Sequence, residues 1–167
     1  CVLAEASGRC SVFGRQHIHT FDGVIYEFAG DCSYMMAGDC QSRTFSILGD
    51  FLQGRKKGVS VFLGEIFELR LSVDGILTQQ GERLQLPYAS NSVFAGYELG
   101  SVRLWSEEFG FSVHIDPTHN IQITLNKQHK NRTCGLCGNF NSAPRDDYTS
   151  QESKSTPSLQ STFISSV

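Results

Sequence analysis

A chain of 167 residues with 40% hydrophobic side chains, 12 of them Phe and 5 Tyr, is long enough for one domain with a sizeable core and too short to suggest two. The formal net charge of −3, with no basic cluster beyond Arg55-Lys56-Lys57, leaves no electrostatic footprint for a nucleic-acid partner. No apolar run approaches the ~20 residues that cross a bilayer, so no membrane partner is expected.

At the N-terminus, Cys1-Val2-Leu3-Ala4 resembles the last positions of a secretory leader, whose cleavage site favours small residues. Residues 1–9 are therefore expected to be a leader remnant and N-terminal arm, unless Cys1 is an ordinary half-cystine. From Cys10 onward, short apolar runs alternate with turn residues. His17 and His19, two apart, would share one face of a strand, where a wet surface is the plainer reading than a metal site. Residues 24–28 follow an Asp22-Gly23 turn, and residues 45–51 form a second apolar run. Arg55-Lys56-Lys57, between Gly54 and Gly58, reads as a solvated turn. The clearest strand is 65–73, where Phe67, Leu69, Leu71 and Val73 alternate with Glu68, Arg70 and Ser72, as a half-buried strand requires. Asp74-Gly75 then turns the chain into a hairpin with residues 76–79. Further strands are expected at 84–86, 102–105, 109–115 and 121–125, the last two joined by the turn-rich stretch 116–120. No segment sustains a 3.6-residue apolar period. The predicted fold class is all-β, an antiparallel sandwich.

Residues 133–147 concentrate the chemistry. Cys134 and Cys137 flank Gly135-Leu136, and Asn139, Asn141, Asp146 and Asp147 follow within ten residues. Zinc on Cys32, Cys40, Cys134 and Cys137 is disfavoured by the spacing, since seven residues separate the first two. A C-x-x-C pair can exchange disulfides, but such motifs belong at helix N-termini in βαβ units, and this one sits in a glycine-rich loop. Distant structural bridges are the preferred reading. The oxygen ligands suit calcium, although the loop is not an EF-hand: the sixth position from Asn139 is Pro144 and the twelfth Ser150. The loop alone leaves an ion site and a merely solvated acidic surface both open. No catalytic motif is present, so no catalytic residue is assigned and a non-enzyme is expected. His114, His119 and His129 are scattered, and any of the five histidines could respond to mild acid. Six cysteines suggest an oxidising compartment, and the sequon Asn131-Arg132-Thr133 marks Asn131 for glycosylation.

Several motifs, taken in order, resemble the von Willebrand factor type D domain family. They are C-S-V-F-G from Cys10, T-F-D-G from Thr20, F-A-G-D-C-S-Y from Phe28, S-I-L-G-D-F from Ser46, L-P-Y-A-S from Leu86 and K-N-R-T-C-G-L-C-G-N-F-N from Lys130. The resemblance covers residues 10–152 and is closest to a first, propeptide domain of the family. It implies a calcium-containing β-sandwich with Asp22, Asn139, Asn141, Asp146, Asp147 and the Ala143 carbonyl as ligands. It also implies disulfides Cys10–Cys137 and Cys40–Cys134, with Cys32 pairing beyond the segment and left unpaired in this fragment. The parent would be a glycoprotein secreted through the endoplasmic reticulum and Golgi, homo-oligomeric through disulfides. Its partners would be other D domains and cysteine-rich modules of the same protein, and its role multimer assembly in haemostasis, platelet adhesion and coagulation. Two alternatives are kept: an oxidoreductase-like exchange at Cys134 and Cys137, and a D domain of a gel-forming mucin or matrix protein. The chain departs from the family at 153–167, a Ser- and Thr-rich stretch expected to be a disordered or truncated tail, in a fragment or an altered product.

Overall fold

The computed structural model describes residues 7–147; expectations for residues 1–6 and 148–167, Cys1 and the tail among them, lie outside that range. Among the described residues, fourteen strands form two antiparallel sheets. The larger sheet contains β1 (Gly8–Phe13), β2 (His17–His19), β3 (Ile25–Glu27), β10 (Tyr88–Ser90), β11 (Val93–Glu98), β12 (Ser101–Ser106), β13 (Phe111–Ile115) and β14 (Ile121–Leu125). Its order is β10-β11-β12-β13-β14-β1-β2-β3, so the first described strand lies between its own hairpin partner and the last described one. The smaller sheet runs in simple sequence order: β4 (Ser33–Gly38), β5 (Phe45–Leu52), β6 (Arg55–Leu63), β7 (Phe67–Ser72), β8 (Leu77–Gln79) and β9 (Glu82–Arg83). A short 3-10 helix, Lys127–His129, follows β14, and residues 144–147 are helical.

Period-2 patterning explains why these segments are strands. Along β14, Ile121, Ile123 and Leu125 are fully buried while Gln122 and Thr124 face outward. Ile123 is registered against Cys10 of β1 on one side and Val113 of β13 on the other. The inner faces of both sheets meet in one core, to which the larger sheet gives Val12, Leu104, Val113 and Ile123 and the smaller Phe45, Ile47, Val61 and Leu69. Burying each such side chain contributes roughly 1.5–3 kcal/mol. The expected strand at 65–73 is β7, with Leu69 and Leu71 inward, and Gly75 turns the hairpin at a φ of 79°. Among the described residues no helix is long and apolar enough to cross a membrane.

Three local expectations need correction. Arg55-Lys56-Lys57 is no solvated turn; the turn is Gln53-Gly54, both at positive φ, and β6 begins at Arg55. Lys56 is buried, its Nζ donating to the Gly14 carbonyl at 2.5 Å, because a register shift after Asp50 makes Lys56, rather than Lys57, the partner of Phe51. Residues 84–86 form no strand, since the β8 hairpin closes two residues earlier with Glu82–Arg83. Strands β4, β6, β9, β10 and β11 are missing from the expected set: β6 opens on the basic trio read as a turn, β4 has a bulge between Met35 and Ala37, and Phe94 in β11 points an aromatic ring outward onto Trp105.

Candidate functional site

Residues far apart in sequence meet where the loop after the 3-10 helix folds back on the turn between β2 and β3. Two sulfur bridges fasten it: Cys10–Cys137, with Cα atoms 5.7 Å apart and a sequence separation of 127, and Cys40–Cys134, at 6.0 Å and a separation of 94. These are the pairs the resemblance implies, and Cys32 is a free, exposed thiol. Between the bridged cysteines, the Leu136 and Cys137 N–H groups donate to the Met35 and Met36 carbonyls (2.9 Å each), so the C-x-x-C segment covers the edge of β4. Gly135, at a φ of 118°, packs against those same carbonyls more closely than any side chain allows.

The turn after β2 supplies the other half. Thr20 is buried; its hydroxyl accepts the Val24 N–H at 3.1 Å and donates to Asp147 Oδ2 at 2.7 Å. Asp22, two residues on, accepts the Asn141 N–H at 3.0 Å and the Ser142 N–H at 2.7 Å, one on each carboxylate oxygen. Phe21 anchors the contact: its N–H donates to the Cys137 carbonyl at 3.0 Å and its ring lies 5.4 Å from that of Phe140. Gly138 has a φ of 86°, and the Asp147 carboxylate occupies the space where a Cβ would stand, so only glycine serves there.

The acidic residues converge. Asp22, Asp146 and Asp147 each bring a carboxylate oxygen within 4.8 Å of the other two. Asp146 Oδ2 accepts the side-chain amides of Asn139 (3.1 Å) and Asn141 (2.5 Å), and the Asn139 N–H donates to Asp147 Oδ1 at 3.2 Å. Ala143 enters through its N–H, which donates to Asn141 Oδ1 at 2.7 Å. Two oxygens inside this group, Asn139 Oδ1 and Asp146 Oδ1, are shut off from solvent without a hydrogen-bond partner. Buried acceptors in native proteins are ordinarily satisfied, and these two lie beside three carboxylates, where a cation would find both within its reach.

The charges respond accordingly. Burial pushes the Asp147 carboxyl above its ordinary range; the Thr20 hydroxyl and Asn139 N–H pull it down, and the neighbouring charges of Asp22 and Asp146 push it up further. Asp146 is held below its ordinary range by the Asn139 and Asn141 amides. Tyr26, whose hydroxyl donates to the Leu136 carbonyl at 2.6 Å, is pushed upward by burial and by the charge of Asp147, so it stays protonated. Hard carboxylate and amide oxygens in irregular array are the donor set of calcium, and two of them stand unpaired here, so the residues fit such an ion. Thr20 and Gly138 are the site residues that sequence reasoning passed over. Thr20 stood in the quoted T-F-D-G motif, but no spacing rule joins it to a carboxylate 127 residues away.

The other candidates lie elsewhere. Asn131 is exposed. His17 and His19 flank buried Ile18 on the outer face of β2, where His17 stacks on Phe13. His114 pairs with Glu98 at 2.9 Å, His119 with Asp74 at 3.6 Å, and His129 is buried against Phe45 with a ring nitrogen 2.7 Å from the Phe109 carbonyl.

Comparison with known proteins agrees with this architecture. The profile of the von Willebrand factor type D domain matches residues 10–154. Over 148 residues, 89% of this chain, the sequence is 47% identical to von Willebrand factor of Bos taurus. It is 32% identical to alpha-tectorin of Mus musculus and 30% identical to mucin-5AC of Homo sapiens, each over 161 residues and again 89% of the chain. The chain spans only 16%, 7% and 3% of the lengths of these three relatives.

Proposed function

The chain belongs to the von Willebrand factor type D domain family, and from that premise we propose that it is a non-enzymatic, calcium-holding structural module of a secreted multidomain glycoprotein. The observation that carries this reading is the meeting of Asp22, Asp146 and Asp147 beside the Cys10–Cys137 bridge, with two buried oxygens left unpaired among them. When bound, calcium supplies the charge that cancels the mutual repulsion of the three carboxylates. Asp22, Asn139, Asn141, Asp146, Asp147 and the Ala143 carbonyl are the groups that would hold it. The chain's own residues do the rest: Thr20 orients Asp147, Gly138 makes room for it, and Asp22 clamps the loop through two N–H groups.

The higher identity to von Willebrand factor than to alpha-tectorin or mucin-5AC favours a von Willebrand factor-like parent over a mucin or matrix protein. On this reading the module travels through the endoplasmic reticulum and Golgi. There it supports assembly of disulfide-linked multimers with other D domains and cysteine-rich modules, and so haemostasis. An oxidoreductase-like exchange at Cys134 and Cys137 draws no support from the geometry. Each is committed to a distant partner, and the Cys137 side of the motif is fully buried.

The test is thermal unfolding of the chelator-treated protein as calcium is titrated in. Calcium at about a hundred times its dissociation constant adds about 2.7 kcal/mol of stability. Asp146→Asn keeps an acceptor for the asparagine amides but removes a charge, so beyond a fixed loss seen equally in chelator it should lose most of the calcium increment. An unchanged wild-type melting curve across the titration rules the ion out.

A further inference from the structure

We propose that the outward side of the β11–β12 hairpin is a non-covalent docking surface for a second copy of this chain, packed about a two-fold axis that passes over Gly96. The proposal goes beyond the calcium reading and does not depend on it. The hairpin breaks local rules in two places. Glu98 is registered against Ser101, so Leu99 and Gly100 make a two-residue turn, at φ of 49° and 81°. Such a turn needs positive φ at both positions and ordinarily takes Asn, Asp or Gly at the first. A leucine is strained there, and this one is also fully exposed, with Tyr97 beside it 75% exposed. The second place is Gly96, on the outward side of β11. Its φ lies outside the left-handed region, and an added Cβ would meet nothing within 4 Å. Neither backbone shape nor packing within the chain calls for glycine at that position. A glycine inside a strand weakens it and often marks where another backbone comes close.

The same hairpin carries a surface that receives the tip. Phe94, 40% exposed, stacks on Trp105 of the paired strand with ring centroids 5.7 Å apart. Beside Trp105 opens a cavity of about 450 Å³, with Arg103, Glu107, Ser112 and Thr124 in its lining. The Arg103 guanidinium lies 4.8 Å over the Trp105 ring, and its Nε–H, shut off from solvent, has no acceptor. Four steps along the ladder separate the Phe94–Trp105 pair from the Glu98–Ser101 pair, about 14 Å at the usual strand rise, and Gly96 is midway. Two hairpins laid antiparallel with their outward sides together, and the axis at Gly96, therefore set each Leu99 on the other's Phe94–Trp105 pair. The bare Gly96 backbones allow the approach, and Leu99 and Tyr97 leave water. The Glu98 carboxylate and Tyr97 hydroxyl bring acceptors to the partner's Arg103. Both halves of the contact, matched in spacing and in charge, lie on one hairpin, which is why the occupant is a second copy. A contact of this kind is its own complement and closes at two.

One hairpin falls short of the roughly 800 Å² per partner of a standard interface, so the dimer is weak. Sedimentation velocity of the full chain at rising concentration reads it, with Cys1→Ser and Cys32→Ser present so that neither of these thiols can link copies. Leu99→Asn puts a preferred residue in the turn, and Gly96→Val fills the open strand position with a strand-favouring side chain. Each should keep or raise the melting temperature of the dilute monomer and weaken the dimer about tenfold or more. Phe94→Ser leaves the tip intact and should weaken the dimer to a similar degree. A chain that stays monomeric at every concentration overturns the proposal. So does a dimer that Gly96→Val or Phe94→Ser leaves unchanged, since the contact then lies elsewhere. A melting temperature lowered by Leu99→Asn or Gly96→Val overturns it as well, because those residues would then serve the lone domain.

Discussion

The loop between β13 and β14 and the loop that follows Cys137 are both built on aspartate, and they settle their charge differently. In the first, Asp116 Oδ1 accepts the Thr118 N–H, the Thr118 hydroxyl and the Asn120 N–H, and Oδ2 accepts the Asn120 side-chain amide. Burial alone would raise this carboxyl, but those donors outweigh it and hold it below the ordinary range. Every hydrogen bond to the Asp116 carboxylate comes from within four residues of it. In the second loop three carboxylates from two distant segments crowd together, Asp147 is raised, and two oxygens stay unpaired. A saturated carboxylate shapes its own turn. A crowded one needs a partner from outside, and that difference is what assigns an ion to the second loop in our proposal.

The harshest way to break the comparison is to remove the fastening beneath the second loop. Cys10→Ala with Cys137→Ala opens a bridge between residues 127 apart, for which chain entropy alone predicts a loss of about 4–5 kcal/mol. Denaturant unfolding with calcium present measures it. Since the bridge holds the Asn139–Asp147 stretch beside Asp22, the calcium increment should shrink as well; a full increment would mean the loop finds Asp22 without the sulfur.

A gentler comparison sets Asp116→Asn against Asp146→Asn. Losing a charged acceptor of several hydrogen bonds costs about 1–2 kcal/mol. For Asp116→Asn the loss in thermal stability should be the same in calcium and in chelator, because its hydrogen-bond donors are its own neighbours and none belongs to the second loop. A calcium-dependent loss there would erase the distinction between the loops.

Acid gives the smallest and most discriminating effect. A carboxyl raised by folding binds its proton more tightly in the folded state, so its contribution is fully present below the unfolded pKa and is lost as pH rises through the folded one. In chelator, stability should therefore increase on mild acidification through the raised range of Asp147, and Asp147→Asn should flatten that rise. At lower pH the sign reverses. Asp116 is held low, as is Asp39, where the Ser42 and Gln41 N–H groups and the Thr44 hydroxyl overcome the effect of burial. Stability is lost as pH falls through their depressed values. Saturating calcium should abolish the first limb and leave the second, as followed by melting temperature against pH.

What the sequence determined by itself was whatever depends on near neighbours. Alternation over 67–72 is enough to make β7, because period-2 side chains select a face wherever the strand ends up. Gly75 announces its turn for the same local reason, and the ordered motifs around Cys10, Thr20 and Cys134 identify the family without any coordinates. Lys56 was misread because its burial follows from a bulge at Lys57, which shows only in how β6 is registered against β5. Thr133, next to the Cys40–Cys134 bridge, is buried, which its place in a polar tripeptide does not announce. That the Thr20 hydroxyl meets Asp147, and that Asp22 clamps the Asn141 and Ser142 N–H groups, follows from the packing of the two sheets. The physical reason is reach: a side chain's face is set within a turn or a strand, whereas a hydrogen bond across more than a hundred residues exists only once two sheets have packed and brought their loops to the same end.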